Sequence, residues 1–228
     1  MNKLFTFSLF WLLCATGIAA QVKLSPIFSD NMVLQQQIKA PIWGETKPYK
    51  KVEVTTSWDQ KKYKVQADPQ GKWKTEVVTP VAGGPYSITI SDGKKVKLSN
   101  VMIGEVWVCS GQSNMEMQVE GWGKVMNYQQ EKEEAENYPN IRFLLVEKAT
   151  SPQPINEIKV AENGWQVCSS KSVADFSAAG YFFGRDLHKY QNVPIGLIDT
   201  SWGGTYIETW TSKEALATMP DMQKKLDV

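Results

Sequence analysis

The sequence has few metal-binding side chains and no excess of charge of either sign. Its 228 residues include one histidine, His188, and three cysteines, which argues against a zinc centre built from His and Cys ligands. The 25 Lys and Arg residues nearly balance the 24 Asp and Glu residues, and no basic run is present. A chain of this charge is a poor ligand for nucleic acid. We predict no metal, no other cofactor and no nucleic-acid partner.

Only one long apolar run is present, and it lies at the amino terminus. Met1-Asn2-Lys3 carries a positive charge, residues 4–18 are mostly apolar, and Ala19-Ala20 supplies small residues before Gln21. This order is typical of a secretory signal peptide, and the run is short for a membrane anchor. We predict a signal peptide over residues 1–20 and a periplasmic or extracellular protein with no membrane attachment after cleavage.

Two cysteines, Cys109 and Cys168, follow the predicted signal peptide. Each lies in an apolar segment that is typical of a strand. Export permits a disulfide between them. Two buried free thiols are equally compatible, because the sequence does not show whether the two Cα atoms come close enough to be bridged. Both alternatives stay open at this point.

Residues 21–100 have the pattern of an antiparallel β domain. Short segments alternate apolar and polar residues and are separated by turn residues such as those of Asp68-Pro69-Gln70-Gly71. Regularly spaced strands of this kind predict a small β-sandwich-like domain. The predicted strands cover residues 52–55, 63–67, 73–77, 86–90 and 96–98.

Residues 101–228 have a different pattern, in which helices precede continuous apolar strands. Strands are predicted at 103–109, 141–146 and 195–199, and a charged helix at 126–137. Ser172 is predicted to cap a further helix that runs to Pro194. Its buried face is predicted to hold residues 176, 180, 183 and 187, with Arg185 opposite. Helix, short loop and buried strand in succession indicate an α/β domain with a parallel sheet.

A serine stands between the first of these strands and a predicted helix. The strand ends at Val106-Trp107-Val108-Cys109, Ser110-Gly111-Gln112 follows, and the helix starts at Ser113-Asn114-Met115-Glu116. This order places a hydroxyl beyond the end of a sheet, beside the free amides of a helix start. Serine esterases need such a nucleophile together with donors for the oxyanion. The order Gly-x-Ser-Asn-Met differs from the Gly-x-Ser-x-Gly elbow of α/β-hydrolases.

A glycine pair follows the last buried strand. Residues 195–199 form the strand, and Thr200-Ser201-Trp202-Gly203-Gly204-Thr205 comes after it. Parallel sheets bind ligands at the carboxyl ends of their strands, and glycine lets the backbone approach a ligand closely. Taken alone, the segment is more typical of an ordinary turn between a strand and a helix.

Three separated motifs resemble those of sialate O-acetylesterases, which are SGNH (GDSL-like) hydrolases. The resemblance implies a flavodoxin-like hydrolase domain after a β-rich domain, and removal of O-acetyl groups from sialic acids. It also implies that Ser113 is the nucleophile, with its own N–H and that of Gly204 or Gly203 as oxyanion donors. The motifs are Ile27-Phe28-Ser29-Asp30-Asn31-Met32-Val33-Leu34-Gln35, Gly104-Glu105-Val106-Trp107 with Ser110-Gly111-Gln112-Ser113-Asn114-Met115-Glu116, and Gly196-Leu197-Ile198 with Ser201-Trp202-Gly203-Gly204-Thr205.

Several neighbours of Ser113 and of the glycine pair are assigned lesser roles. Gln112, Asn114 and Trp202 are candidate contacts for an acetylated glycan substrate. Asn114 and Glu116 match the family string, and we expect them to support the local structure.

The chain also departs from the family pattern. The family has a later Trp-x-Gln-Gly-Glu-like segment and an Asp-x-x-His that activates the serine, and neither occurs here. Asp186-Leu187-His188 is one residue too short, and residues two apart on a helix do not face each other. His188 is therefore predicted to be structural. We expect the sequence to correspond to the first part of a longer esterase and to be weakly active or inactive by itself.

Two other functions remain compatible with the sequence. One is an acetylxylan-type carbohydrate esterase with the same machinery, although the Met-Val-Leu-Gln segment at 32–35 and the segment around Glu208 favour sialate. The other is a sugar-binding or structural protein that has lost catalysis. Its candidate stacking surfaces are Trp107, Trp122, Trp202 and Trp210.

Overall fold

The computed structural model describes residues 22–151, 155 and 157–222, so the predicted signal peptide lies outside the described residues. The strands are β1 Lys23–Leu24, β2 Val33–Gln35, β3 Lys39–Glu45, β4 Lys51–Thr56, β5 Lys62–Gln66, β6 Lys72–Val78, β7 Gly83–Ser91, β8 Lys95–Cys109, β9 Ile141–Leu145, β10 Gln166–Val167 and β11 Ile195–Asp199. The helices are α1 Ser113–Glu116, α2 Tyr128–Ala135, α3 Ser170–Ala174, α4 Ala178–Gln191 and α5 Lys213–Leu216. None of the helices in the described residues is long and apolar enough to cross a membrane.

Two sheets organise the described chain. A large mixed sheet has the order β10-β9-β11-β8-β7-β4-β5, with β2 paired to β8 off this path. Within it β11 runs parallel to both β8 and β9, whereas β7, β4 and β5 are antiparallel to their neighbours. The second sheet is small and antiparallel, with the order β1-β3-β6. The mixed α/β class predicted from the sequence is confirmed, and the small antiparallel sheet is present.

Strand β8 connects the two halves of the chain without interruption. Its first part pairs with β7 as far as Ile103, and its last part pairs with β11 from Glu105 onward. Gly104 lies between them, where a Cβ atom would sit 1.9 Å from the Pro194 carbonyl oxygen. The predicted boundary between residues 100 and 101 falls inside this strand. The division into residues 21–100 and 101–228 therefore stays a prediction, and a separate sandwich domain is not confirmed.

Two hydrophobic cores fix the sheets and their helices. The first joins the small sheet to the antiparallel part of the large one and includes Ile42, Trp73, Val54 and Ile90. The second joins β9 and β11 to α3 and α4. The buried side chains of the second core are those of Cys109, Val119, Ala135, Ile141, Phe143, Cys168, Val173, Phe176, Ala178, Tyr181, Ile195 and Leu197. It holds the carboxyl ends of β8 and β11 in place.

The predicted helix that Ser172 caps is wrong in two respects. Ser169 is the N-cap of α3, and Ser172 completes its capping box from the third helical position. The chain then leaves the helix, and Ser177 caps α4 by accepting the N–H of Gly180 at 3.0 Å. This second start rotates the buried face to residues 178, 180, 181 and 184, so that Phe183 is 45% exposed.

Cys109 and Cys168 are free thiols, and both are buried. This structure supports the second of the two alternatives that the sequence left open. Burial raises the pKa of Cys109 to about 11 and that of Cys168 to about 12. A buried thiol that stays protonated is a poor nucleophile. We expect a thiol-specific reagent at pH 8 to leave both cysteines unmodified in the native protein and to modify both in denaturant. Peptide mapping measures this, and a 109–168 disulfide or fast native modification would contradict it.

Candidate active site

Ser113 lies where the carboxyl ends of β8 and β11 meet. The turn after β8 requires Gly111, whose φ of 130° is outside the range of ordinary side-chain-bearing residues. The segment after β11 runs beside this turn, because the Thr200 N–H donates to the Cys109 carbonyl at 2.9 Å. The Trp202 N–H donates to the Gly111 carbonyl at 2.8 Å. The two motifs that the sequence singled out are thus brought together, and α1 begins at Ser113.

The backbone N–H and the hydroxyl of Ser113 are available to a ligand. The residue is half-buried, and it is the first residue of α1, so its N–H has no partner within the helix. Among the described residues, neither this N–H nor the hydroxyl has a hydrogen-bond partner. The Ser113 hydroxyl oxygen lies 3.2 Å from the point that a Cβ atom on Gly203 would occupy. A small group could therefore contact both Ser113 and the glycine pair.

The two glycines of the pair have different surroundings. The Gly203 N–H donates to Glu116 Oε2 at 2.6 Å, so it is already occupied. Gly204 has a φ of 76° and is exposed, and apart from its chain neighbours no described residue has an atom within 4 Å of the place for a Cβ. Its N–H has no acceptor among the residues that the structure describes. Of the two candidates, Gly204 is the one with a free donor.

Glu116, which was expected to support the local structure, links the two strand ends of this site through partners that the sequence did not indicate. One carboxylate oxygen accepts the Gly203 N–H, and the other forms an ion pair with Lys148. The Lys148 ammonium also lies 6.0 Å from the centre of the Trp202 ring. Glu116 follows Ser113 by three residues, and side chains at that spacing lie next to each other on a helix. This spacing was the one sequence signal that Glu116 lies in the site. Lys148 lies after β9, and nothing in the sequence indicated that it returns here.

Asp199 fixes the start of the segment that carries the glycines. Its side chain is buried, and Oδ1 accepts the Ser201 N–H at 2.8 Å and the Ser201 hydroxyl at 2.6 Å. Burial raises the pKa of Asp199, while the two hydrogen bonds from Ser201 act in the opposite direction. These hydrogen bonds attach the turn to the end of β11.

The three candidate substrate contacts surround Ser113 but differ in exposure. Gln112 and Asn114 are exposed, and their side chains make no hydrogen bonds to the described residues. Trp202 is half-buried, with one face toward Lys148. Their role in binding a substrate stays a prediction.

His188 and Ser113 are not brought together. His188 lies near the end of α4, ten residues after Ala178, which corresponds to about 15 Å along a helix. The beginning of α4, by contrast, contacts α1, because the Ala178 N–H donates to the Met117 carbonyl at 2.8 Å. His188 Nδ1 is 2.7 Å from the Val193 carbonyl oxygen. The described residues contain no group of three or more His, Cys, Asp or Glu side chains that could hold a metal.

Comparison with known proteins adds independent information on this site. The family model for carbohydrate esterases of the sialic acid-specific acetylesterase type matches residues 103–226, which include both strand ends. The sialate O-acetylesterase of Mus musculus is 31% identical over 205 residues, covering 83% of this chain and 37% of that protein. The Homo sapiens sialate O-acetylesterase is 30% identical over 203 residues, covering 82% of this chain and 38% of that protein.

A solved structure agrees with these matches. The crystal structure of a carbohydrate acetylesterase from Xanthomonas citri superimposes with a TM-score of 0.79 at 31% identity, covering 87% of this chain and 44% of that chain. The chain thus spans less than half the length of each of these three relatives. Since the family model covers more than half of the sequence and includes Ser113 and the glycine pair, the chain belongs to the sialic acid-specific acetylesterase family of carbohydrate esterases.

Proposed function

We propose that this chain carries the nucleophile and two oxyanion donors of a serine esterase that removes O-acetyl groups from sialic acids. The single observation that carries the proposal is the Ser113 hydroxyl, which has no partner among the described residues and lies 3.2 Å from the place for a Cβ on Gly203, the residue before the unpaired N–H of Gly204. The family membership supplies the substrate class. The signal peptide predicted at residues 1–20 adds export to the periplasm or the outside of the cell.

The proposed reaction follows from these groups. The Ser113 oxygen attacks the acetyl carbonyl carbon, and its proton passes to a base. The N–H groups of Ser113 and Gly204 stabilise the negative charge that develops on the carbonyl oxygen. The C–O bond to the sugar then breaks, and the sugar leaves as an alcohol when it takes up a proton. Water hydrolyses the acetyl-serine and releases acetate.

We assign the proton transfer to a residue that this sequence does not contain. His188 is the single histidine of the sequence, and it lies at the far end of α4 from Ser113. The ion pair of Glu116 with Lys148 and its bond to Gly203 commit that carboxylate to a positioning role. The resemblance to the family implies an Asp-x-x-His as the base, which this sequence lacks.

The test joins this chain to the remaining part of a longer relative, which we expect to supply the base. We define the joined protein as this chain followed by the part of the Xanthomonas citri esterase that it does not cover. We expect the joined protein to release acetate from O-acetylated sialic acid with a kcat/KM at least ten times that for acetylated xylan. The measurement is an acetate-release assay on both substrates, with circular dichroism to verify folding.

Each other outcome of this assay favours a different function. A preference for xylan would support the acetylxylan-type alternative. Binding of either glycan to a folded joined protein without any acetate release would support the non-catalytic alternative.

A further inference from the structure

A cavity lies at the amino ends of the parallel strands, opposite the carboxyl ends where Ser113 lies. It has a volume of about 420 Å³ and lies between the start of β7, the middle of β8, the start of β9 and residues 192–194 after α4. Its lining includes Gly84, Asn100, Asn140, Arg142, Asn192 and Pro194. Arg142 pairs with Gly196 in the sheet, whereas the site of Ser113 adjoins Asp199, about 10 Å further along β11 at the usual rise per residue.

Arg142 is a buried cation that forms no ion pair with any described residue. It is 4% exposed, and its Nε has no hydrogen-bond partner among those residues. None of the salt bridges among the described residues involves it, and none of the residues lining the cavity is acidic. The other arginine of the sequence, Arg185, is also largely buried but forms ion pairs with Glu131 and Glu134. The two arginines of this chain thus differ in whether their charge is balanced.

An unbalanced buried charge is costly, and arginine cannot avoid the cost by losing its proton. Burial lowers the pKa of Arg142, but a guanidinium stays protonated at neutral pH. Most basic residues of this chain are lysines. Unlike the ammonium group of lysine, the guanidinium group of arginine presents hydrogen-bond donors that lie in one plane. That geometry matches the paired oxygens of a carboxylate or phosphate group.

We propose that this cavity binds a small anion through a carboxylate or phosphate group, with Arg142 as its ion partner. The floor is formed by the buried residues Arg142, Met102 and Pro194, and the rim by the exposed residues Asn140 and Asn192. The carboxamides of Asn140 and Asn192 have no partners among the described residues and serve as additional donors. The carboxamide of Asn100 donates to Asn31 and holds the wall of the cavity. This site is independent of the ester chemistry at Ser113.

The first test measures thermal stability in the presence of defined anions. The full chain is melted in sodium phosphate, in sodium acetate and in sodium chloride of equal ionic strength. At an anion concentration of about 20 times Kd, we expect the bound anion to raise Tm by about 4 °C over chloride. A rise with phosphate alone assigns the phosphate group as the ligand, and a rise with acetate assigns the carboxylate.

Two variants at the cavity make the result specific. Arg142→Met is expected to abolish the rise and to have an unchanged or higher Tm in chloride, because an apolar side chain removes the unbalanced charge. Asn140→Asp introduces a carboxylate at the rim and is expected to raise Tm in chloride and to remove the response to added anion. Ser113→Ala, at the other site, is expected to respond like the wild type.

The proposal would be overturned by either of two results. One is equal Tm values of the wild type in all three salts. The other is a rise that persists unchanged in Asn140→Asp and in Arg142→Met. If Arg142→Met does not fold, Asn140→Asp decides the question, since it retains the arginine.

Discussion

Replacement of Ser113 by alanine is expected to reduce kcat/KM of the joined protein for O-acetylated sialic acid by about 10⁴-fold or more. The variant removes the only atom that forms the covalent intermediate, while the N–H of residue 113 and that of Gly204 remain. The variant is expected to keep only the rate enhancement over the uncatalysed reaction that substrate binding and the oxyanion donors supply. The Ser113 hydroxyl makes no hydrogen bond within the described residues, so the free energy of unfolding is expected to change little. Acetate release and a denaturant titration measure the two quantities.

The matched control is His188→Ala in the same joined protein. His188 lies at the far end of α4 and contacts the Val193 carbonyl, so its loss is expected to lower stability slightly and to leave kcat within about threefold. An inactive His188→Ala together with an active Ser113→Ala would require a different assignment of the site.

Replacement of Gly203 by alanine is expected to lower kcat by about 10²- to 10³-fold, the usual cost of losing one oxyanion donor. A Cβ atom at this position would lie 2.2 Å from Glu116 Oε2 and 3.2 Å from the Ser113 hydroxyl oxygen. Glu116 must then give up its bond to the Gly203 N–H, and the turn that orients Gly204 moves. The measurement is the kinetics of deacetylation at saturating substrate.

Gly204→Ala is the neighbouring control, and it is expected to behave in the opposite way. Apart from its chain neighbours, no described residue has an atom within 4 Å of the place for its Cβ, so we expect the donor N–H to stay where it is. The φ of 76° costs roughly 1–2 kcal/mol of stability for a residue with a side chain. We therefore expect a lower Tm with a kcat within about fivefold of the wild type. Equal kcat values for the two variants would contradict the role assigned to the turn.

The sequence predicted the strand ends of the site because they depend on local patterns. An apolar run followed by Gly111, or by Gly203-Gly204, is recognised from a few consecutive residues. The carboxyl ends of parallel strands then lie at the same side of the sheet. The pairing of Glu116 with Gly203 joins residues 87 apart, and the path of Lys148 depends on the loop after β9. Neither of these two contacts is marked by a pattern of consecutive residues, so neither could be predicted from the sequence.

Two expectations about the fold have an equally local origin. The change of pattern near residue 100 predicted a boundary there, and this division stays a prediction, although β8 runs through that position and passes closely against Pro194 at Gly104. Ser172 and Ser177 both have the chemistry of an N-cap, and the sequence did not distinguish which serine starts the long helix.

The central claim, that Ser113 is the nucleophile, is tested most directly by covalent labelling. The joined protein is incubated with a fluorophosphonate, which phosphonylates activated serines with loss of fluoride, and the adduct is located by peptide mass spectrometry. We predict one adduct per chain, on the peptide that contains Ser113, and none in Ser113→Ala. An adduct on another residue, or labelling of the wild type no greater than that of Ser113→Ala, would contradict the claim.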